Sequence, residues 1–387
     1  MILQQLARDA EIIVGKLPPP LHDRKPVPWI IDLSPEGVYL GIVRTTDGSG
    51  GKKDKGKEIL VPILPAKRTA SVKPTLLADT PVYSLGIPFQ DRPADKKHAK
   101  YRALLEECAE ATGSPEIKAI LAFLDQWHCE PPSVERLDPA MEPSDLITFR
   151  VAGHLVVQSP DVQEFWAARC LGGAAPDEAS KTQCLVCGKR KPIAERLPVP
   201  LKGVPGGQSS GVPLVSINSN AFESLGLPNG KSAGVCKECG ERFGKAANAL
   251  LSRDDSRLDL RGVDYLFWTN QGAGFSFLTL LQKPDPAVVR ELLLAPHRGP
   301  DALAADMTPF YATALTGNGG RAVVRDWLHS TLGDAKASLL RWFDRLSQVD
   351  SYGQPGKPLG IFALAASLYH NDAKEMAPQV PLILMRA

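Results

Sequence analysis

The sequence predicts an α+β protein in three parts: a loop-rich mixed sheet domain with covering helices, a four-cysteine segment and a mostly helical C-terminal part. Three observations support this prediction. Runs of branched apolar residues early in the chain are typical of strands. Two Cys-x-x-Cys pairs enclose the middle of the chain. Beyond them, apolar residues recur at three- and four-residue spacing, which is typical of helices.

Length and composition indicate a globular protein with more than one core. The chain has 387 residues, of which 43% are hydrophobic and 23% charged, so two or three cores are expected. Its 34 prolines and 33 glycines predict many short elements joined by irregular loops. A net charge of +2 neither requires nor excludes a nucleic-acid partner.

The compartment is predicted from the cysteines and from the first residues. The seven cysteines are an odd number, which argues against a disulfide framework and for a reducing compartment. Residues 1–14 lack the features of a signal peptide and read as an amphipathic helix. No apolar run reaches the ~20 residues that a membrane helix needs. We therefore expect a cytoplasmic protein with no membrane partner.

The predicted first domain, residues 1–175, begins with a sheet. Residues 27–34 and 37–44 read as a hairpin, and residues 58–64 as a further strand. Between Arg44 and Lys73 the chain carries eight Lys or Arg against three Asp or Glu. This basic stretch either contacts nucleic acid or keeps a loop in water, and the sequence leaves both readings open.

Helices then cover this sheet. Residues 101–111 and 116–127 have helical spacing of their apolar residues. Residues 145–158 alternate around an Ala-Gly-His turn like a second hairpin. Ser159 is a candidate N-cap for a helix that begins at Pro160. These elements close the first domain.

The predicted second domain, residues 182–243, carries the strongest chemical signal. Cys184, Cys187, Cys236 and Cys239 form two Cys-x-x-Cys pairs, a spacing that presents two thiolates to one ion. Four sulfurs complete the tetrahedron that zinc prefers and leave no open position, so we expect a structural Zn²⁺ ion. The 48 residues between the pairs exceed those of a simple ribbon. Four reduced cysteines without metal, or a redox pair, are the alternatives.

A glycine-serine loop at residues 201–211 lies between these pairs. Lys202 offers a charge, and Gln208, Ser209 and Ser210 offer neutral donors. Gly203, Gly206 and Gly207 permit close approach of the backbone. Such groups suit phosphate and base-edge contacts. An ordinary surface turn would have the same composition, so the spacing alone decides nothing.

The predicted third domain, residues 244–387, is mainly helical and packed on the first. Residues 265–270 read as a strand, and most of the later periodic segments read as helices. Arg321 and Arg325 are four residues apart, which would place them on one face of a helix near Asn318. This patch either holds phosphate at the helix N-terminus or pairs with Asp326 or Asp344.

No catalytic set is recognisable in the sequence. The seven histidines are scattered, and His-Glu-x-x-His, Walker and Gly-x-Ser-x-Gly motifs are absent. We therefore predict a protein that is not an enzyme.

Several long segments in order resemble one known family. They are MILQQL at the start, SVKPTLLADTPVYSLG at 71–86, TFRVAGHLVVQSPDVQEFWAA, the block CLVCGKRKPIAERLPVPLKGVPGGQSSGVPLVSINSNAFESLG, LFWTN, and FYATALTGNGGRAVVRDW. In this order they resemble the large subunit of the type I-C CRISPR interference complex, the RNA-guided assembly called Cascade. The resemblance extends almost from end to end of the chain.

The resemblance implies a function for the loops. It implies a subunit that binds target double-stranded DNA, recognises the protospacer-adjacent motif, and helps strand opening and recruitment of a helicase-nuclease. The guide RNA would be contacted indirectly, through backbone and RNA-end-binding Cascade subunits. The DNA-facing set would then be drawn from two loops and the arginine patch: Lys67, Arg68, Thr69, Lys73, Lys202, Gln208, Ser209, Ser210, Asn318, Arg321 and Arg325.

Two departures from the family pattern limit what the resemblance implies. Family members do not uniformly keep four cysteines, so the expectation of zinc rests on the spacing alone. The chain also ends at PLILMRA, where family members continue into a C-terminal helical region. A separate small subunit could supply that region.

The rival functions are a zinc-dependent nucleic-acid hydrolase, which needs an open metal position, and a scaffold that contacts only protein.

Overall fold

The structure of the chain is a computed structural model. It describes residues 2–46, 55–65, 68, 72–88, 94–127, 138–172, 181–216, 223, 226–227, 232–260, 262–270, 307–346, 349, 351–354, 356, 359–369, 380 and 383–384.

The described helices and strands follow one another from the first residues to residue 366. In chain order they are α1 (Ile2–Arg8), α2 (Ala10–Val14), β1 (His22–Val27), β2 (Trp29–Leu33), β3 (Tyr39–Arg44), β4 (Lys57–Pro62), α3 (Pro81–Ser84), α4 (Ala94–Thr112), α5 (Pro115–Gln126), β5 (Ile147–Val151), β6 (His154–Leu155), α6 (Pro160–Gly172), β7 (Lys181–Gln183), β8 (Arg190–Pro192), α7 (Lys237–Leu251), β9 (Arg257–Asp259), β10 (Asp264–Thr269), β11 (Pro309–Asn318), β12 (Arg321–Thr331), α8 (Leu332–Arg345) and α9 (Ile361–Ala366).

The chain divides into two compact units. One is Pro18–Lys181, and the other combines Met1–Leu17 with Thr182–Ala387. The three-part division that the sequence suggests, with boundaries at 175, 182 and 243, stays a prediction.

The unit Pro18–Lys181 contains a four-stranded mixed sheet in the order β3-β2-β5-β6 and a separate β1-β4 pair. β2 pairs antiparallel with β3 and parallel with β5. This confirms the predicted hairpins at 27–44 and 145–158 and the strand within 58–64. Trp29, Phe149 and Trp166 lie in its core together with residues of α4 and α5, because the apolar stripe of each helix is buried. The predicted helices over this sheet are thereby confirmed.

The other unit is built on a four-stranded antiparallel sheet in the order β12-β11-β10-β9. Its two faces are buried in different cores. Leu266, Trp268 and Tyr311 pack with α1, α2 and α7 on one face. Phe267 and Phe310 pack with α8 and α9 on the other face. The side chains alternate because successive residues of a strand point to opposite faces.

The prediction of a mostly helical C-terminal part is wrong for residues 309–331, which form the hairpin β11-β12. Asn318 pairs with Arg321 around a two-residue Gly319-Gly320 turn, and Gly319 has a φ of 57°. Gly-Gly between apolar runs favours such a turn. Helical spacing elsewhere in this part predicts α8 and α9 correctly. Residues 285–295 are another of the later periodic segments, and they lie outside the described residues.

None of the helices in the described part of the chain is long and apolar enough to cross a membrane.

Candidate metal centre and nucleic-acid interface

The four cysteines of the two Cys-x-x-Cys pairs lie together. The sulfur atoms of Cys184, Cys187, Cys236 and Cys239 are all within 4.8 Å of one another. A tetrahedral metal site with bonds of ~2.3 Å places its sulfurs ~3.8 Å apart, so this arrangement fits one ion. The predicted cluster is confirmed, and its four cysteines could bind a metal ion.

Backbone hydrogen bonds hold the first pair in a tight turn. The Cys184 N–H donates to the Lys189 carbonyl at 2.9 Å, and the Gly188 N–H donates to the Cys184 carbonyl at 2.8 Å. The turn joins β7 to β8, which pair with each other. Both sulfurs of the pair are therefore presented from one short, closed loop.

The second pair lies at the beginning of α7. Cys236 is the N-cap residue, and Cys239 is in the first turn. The Cys236 N–H points at the Cys184 sulfur, 3.4 Å away. The N-terminus of a helix favours negative charge, so this end of α7 stabilises thiolates.

The protonation of the cluster shows how it would respond to a cation. The hydrogen bond from Cys239 lowers the pKa of the Cys236 thiol to about 5. The same bond and burial raise the pKa of Cys239, and burial raises that of Cys187. Four thiolates this close repel one another, so without a cation some must keep their protons. A divalent cation would remove that repulsion and release the protons.

The cluster has the ligand set of a closed, structural site. Four sulfurs fill a tetrahedron, and within the described residues no histidine or carboxylate belongs to this group of possible ligands. The nearby Lys191 ammonium is paired with Glu238, which raises the pKa of Lys191. Such a site can stabilise folded structure but offers no position for a reacting water.

The glycine-serine loop is closed and anchored at its base. Leu201 and Val212 exchange backbone hydrogen bonds of 2.8 Å in both directions. Asn248 of α7 accepts from the Lys202 N–H at 2.8 Å and donates to the Pro200 carbonyl at 3.0 Å. Thus the helix that begins at the cysteine cluster also holds the base of the loop. The loop's four predicted DNA-facing residues, Lys202, Gln208, Ser209 and Ser210, are all exposed.

The tip of the β11-β12 hairpin packs against this loop. Gly207 and Gly319 form a parallel bridge, and the Gly317 N–H donates to the Pro205 carbonyl at 2.5 Å. A Cβ atom on Gly317 would meet the Gly207 nitrogen at 2.2 Å, so only glycine permits this approach. The close backbone approach expected from the loop's glycines is therefore made, in part, to the hairpin.

This contact brings two predicted patches together. Asn318, which is exposed, and the half-buried Arg321 flank the hairpin turn beside the loop. The prediction that Arg321 and Arg325 share a helix face is wrong, because both lie in β12. Arg325 is exposed at the point where the β11-β12 register shifts. Antiparallel pairing with β11 overrides the four-residue spacing that favoured a helix.

The predicted basic loop of the other unit is only partly described. Lys67 and Thr69 lie outside the described residues. Lys73 is exposed. Arg68 forms an ion pair with buried Asp79, donates to the Thr75 hydroxyl at 2.9 Å, and has its guanidinium 4.2 Å from the centre of the Tyr83 ring. Arg68 therefore has a structural role, and its contact with DNA stays a prediction.

Sequence reasoning missed two positioning residues. Asn248 gave no signal, because an asparagine within a helix is unremarkable until its distant partners are known. Gly317 could have been found, because the run Thr-Gly-Asn-Gly-Gly-Arg between two apolar segments is a hairpin signature.

One helix, α7, joins a cluster of four cysteines that could bind a metal ion to a polar, exposed loop surface. The chain belongs to the family described as CRISPR-associated protein (Cas_Csd1), whose family model matches residues 3–387. Membership supports a Cascade-type protein that takes part in a multi-subunit CRISPR complex. A search of curated protein sequences found no match to the chain.

Proposed function

We propose that this chain is the large subunit of a type I-C CRISPR surveillance complex, in which it binds target duplex DNA and recognises the protospacer-adjacent motif. Family membership supports the setting. The observation that carries the proposal is the contact between the glycine-serine loop and the hairpin tip. It makes one surface of residues 202–210 and 318–321, which we name the loop-hairpin surface.

The loop-hairpin surface has the two kinds of group that a DNA reader needs. Lys202 and Arg321 supply positive charge for phosphates, which position a duplex without reading its sequence. Gln208 and Asn318 are exposed amides, and amides can make paired contacts with the edge of an adenine. In an RNA-guided system base pairing reads the target, so the protein needs to read only a short motif.

We further propose that the cysteine cluster binds one structural zinc ion and that this ion positions the reading loop. α7 has Cys236 at its N-cap and Asn248 in its last turns, where the amide holds the first side of the loop base at Pro200 and Lys202. A metal ion would fix the N-terminus of α7. Because Asn248, near the other end of α7, binds the base of the loop, the loop's movement would also be restricted. The metal would thus act on DNA recognition without touching DNA.

The remaining roles follow from the resemblance and belong to the same proposal. The protein itself cuts no nucleic acid, and a recruited helicase-nuclease degrades the target. Backbone and RNA-end-binding subunits hold the guide RNA, and a separate small subunit is a further partner. All of them work in the cytoplasm.

Binding of labelled duplexes over several salt concentrations tests the proposal. Duplexes with the correct motif and with a scrambled motif are titrated with the chain alone and with the chain assembled on its guide-loaded complex. Motif-dependent, salt-sensitive binding in the assembled state is the expected result. Assembly without any duplex binding would instead indicate a scaffold, and metal-dependent cleavage would indicate a hydrolase.

A further inference from the structure

A row of aromatic side chains crosses the second sheet and ends at an exposed residue. Trp268 of β10 is paired in register with Tyr311 of β11, and Tyr311 with His329 of β12. The Trp268 and Tyr311 ring centres are 5.4 Å apart, and those of Tyr311 and His329 are 4.9 Å apart. Within the described residues the row passes from the core to the edge strand β12.

Trp327 widens this row. It lies two residues before His329, so both side chains are on the same face of β12. Its ring stacks on Tyr311 at 5.9 Å with an interplanar angle of 12°. Trp268 and Tyr311 are buried, Trp327 is half-buried and His329 is exposed. The outer part of the stack is therefore accessible.

Positive charge borders the accessible rings. Arg325, which is exposed, precedes Trp327 by two residues on the same strand. Arg8, at the end of α1, is also exposed. Burial and the Asp9 carboxylate raise the pKa of the Tyr311 hydroxyl, and the charge of Arg8 opposes that shift. Exposed rings bordered by arginines suit a ligand that is flat, aromatic and attached to negative charge.

We infer that Trp327 and His329 form a stacking platform for unpaired bases of single-stranded nucleic acid. Bases stack on aromatic side chains regardless of their identity, while cations follow the backbone. One face of the His329 ring lies on Tyr311, and its exposed face can receive a base. Bases within a duplex are already stacked, so the platform favours single strands. This inference extends the proposed function from duplex DNA to an opened strand.

The test compares single strands with and without bases on the full-length chain. An oligothymidine of roughly 12 nucleotides and an abasic strand of the same length and charge are the probes. His329→Ala is expected to weaken oligothymidine binding about 5- to 150-fold, the range for one stacked base, and to leave abasic binding unchanged. His329→Phe should retain oligothymidine binding, because it keeps a ring.

Leu328→Ala is the matched control, because Leu328 is 49% exposed on the same strand but points to the opposite face. It should bind both probes like the unchanged chain. A second variant, Trp327→Ala, removes the other ring of the platform. If this variant does not fold, His329→Ala still tests whether bases stack here. Equal affinity of the unchanged chain for thymidine and abasic strands, or equal losses on both in His329→Ala, would overturn the inference. Oligouridine as a third probe separates an RNA ligand from DNA.

Failure of the stacking platform can be distinguished from failure of the proposed motif-reading function. Gln208→Ala acts on duplexes with the correct motif and should not alter oligothymidine binding. Base-dependent single-strand binding without any motif preference would leave the platform standing and remove the motif-reading role. Motif preference without base-dependent single-strand binding would support the motif-reading role and remove the platform.

Discussion

Gly317 and Gly207 touch backbone to backbone, and a Cβ atom on Gly317 would lie 2.2 Å from the Gly207 nitrogen. The hairpin tip and the glycine-serine loop can share one surface only because Gly317 has no side chain there. This relationship makes the loop-hairpin surface testable without altering any residue that would contact DNA.

Gly317→Ala should therefore separate the two parts of the surface. The added methyl group must displace backbone, which costs roughly 1–3 kcal/mol of stability by analogy with overpacked cores. Duplex binding should weaken although every proposed contact residue is present. Gly320→Ala is the control, since no heavy atom lies within 4 Å of its Cβ position. Urea unfolding and duplex titration measure both effects, and unchanged stability and affinity in Gly317→Ala would contradict the shared surface.

Lys202 and Gln208 should differ in what their loss does. Lys202→Ala is expected to weaken binding of all duplexes and to reduce the salt slope by about one, because a phosphate contact is lost. Lys73→Ala in the other unit should behave in the same way. The measurement is affinity for correct and scrambled motifs at several salt concentrations. A loss confined to the correct motif would assign Lys202 to base reading instead.

Gln208→Ala should reduce discrimination between motifs. A lost base contact costs ~1–3 kcal/mol on the correct motif only. Affinity for the scrambled motif and the salt slope should stay the same. Undiminished motif preference in the assembled complex would move recognition away from Gln208, with Asn318 as the neighbouring amide to test next.

The cysteine cluster should hold one zinc ion per chain, as measured by elemental analysis of purified protein. Cys187→Ser should lower zinc content and expose the segment between the pairs to protease, because metal binding and local folding share one free energy. It should also reduce motif-specific binding through α7. Cys170→Ser is the control, because Cys170 lies outside the cluster. Well under one metal ion per chain in the unchanged protein would exclude the site.

We expect Arg68 to stabilise the folded protein, so the stability of Arg68→Ala must be measured by urea unfolding before its DNA binding is interpreted. Arg68→Ala removes the partner of Asp79, whose carboxylate is 1% exposed, while Arg68 itself is 29% exposed. The expected loss is roughly 2–4 kcal/mol, somewhat below that of a fully buried pair. Arg68→Ala combined with Asp79→Asn should recover part of it, because the uncompensated charge is gone.

The pH dependence of that loss has a defined sign. Burial raises the pKa of Asp79 even beside Arg68, and removal of the guanidinium should raise it further. Between the unfolded and folded pKa values the folded state binds more protons, so stability falls as pH rises. The Arg68→Ala deficit should thus be larger near pH 8 than near pH 4. A deficit independent of pH would assign the loss to the Tyr83 contact instead.

The sequence by itself determined those elements of the protein that depend on patterns of neighbouring residues. The hairpin at β2-β3, the helices α4 and α5 and the clustering of the four cysteines all follow from periodicity or spacing within a few residues of each element. The cysteines could be predicted to meet across 48 intervening residues only because thiolate pairs share a ligand chemistry.

Only the tertiary structure decided the rest. Residues 321–331 carry helical spacing, but pairing with β11 makes them a strand. The side chain of Asn248 and the missing side chain of Gly317 acquire their roles from partners 46 or more residues away. The sequence suggests that Arg68 is an exposed loop cation, whereas the structure pairs it with the buried Asp79. In each case the deciding free energy comes from burial and pairing between distant segments, which no local pattern contains.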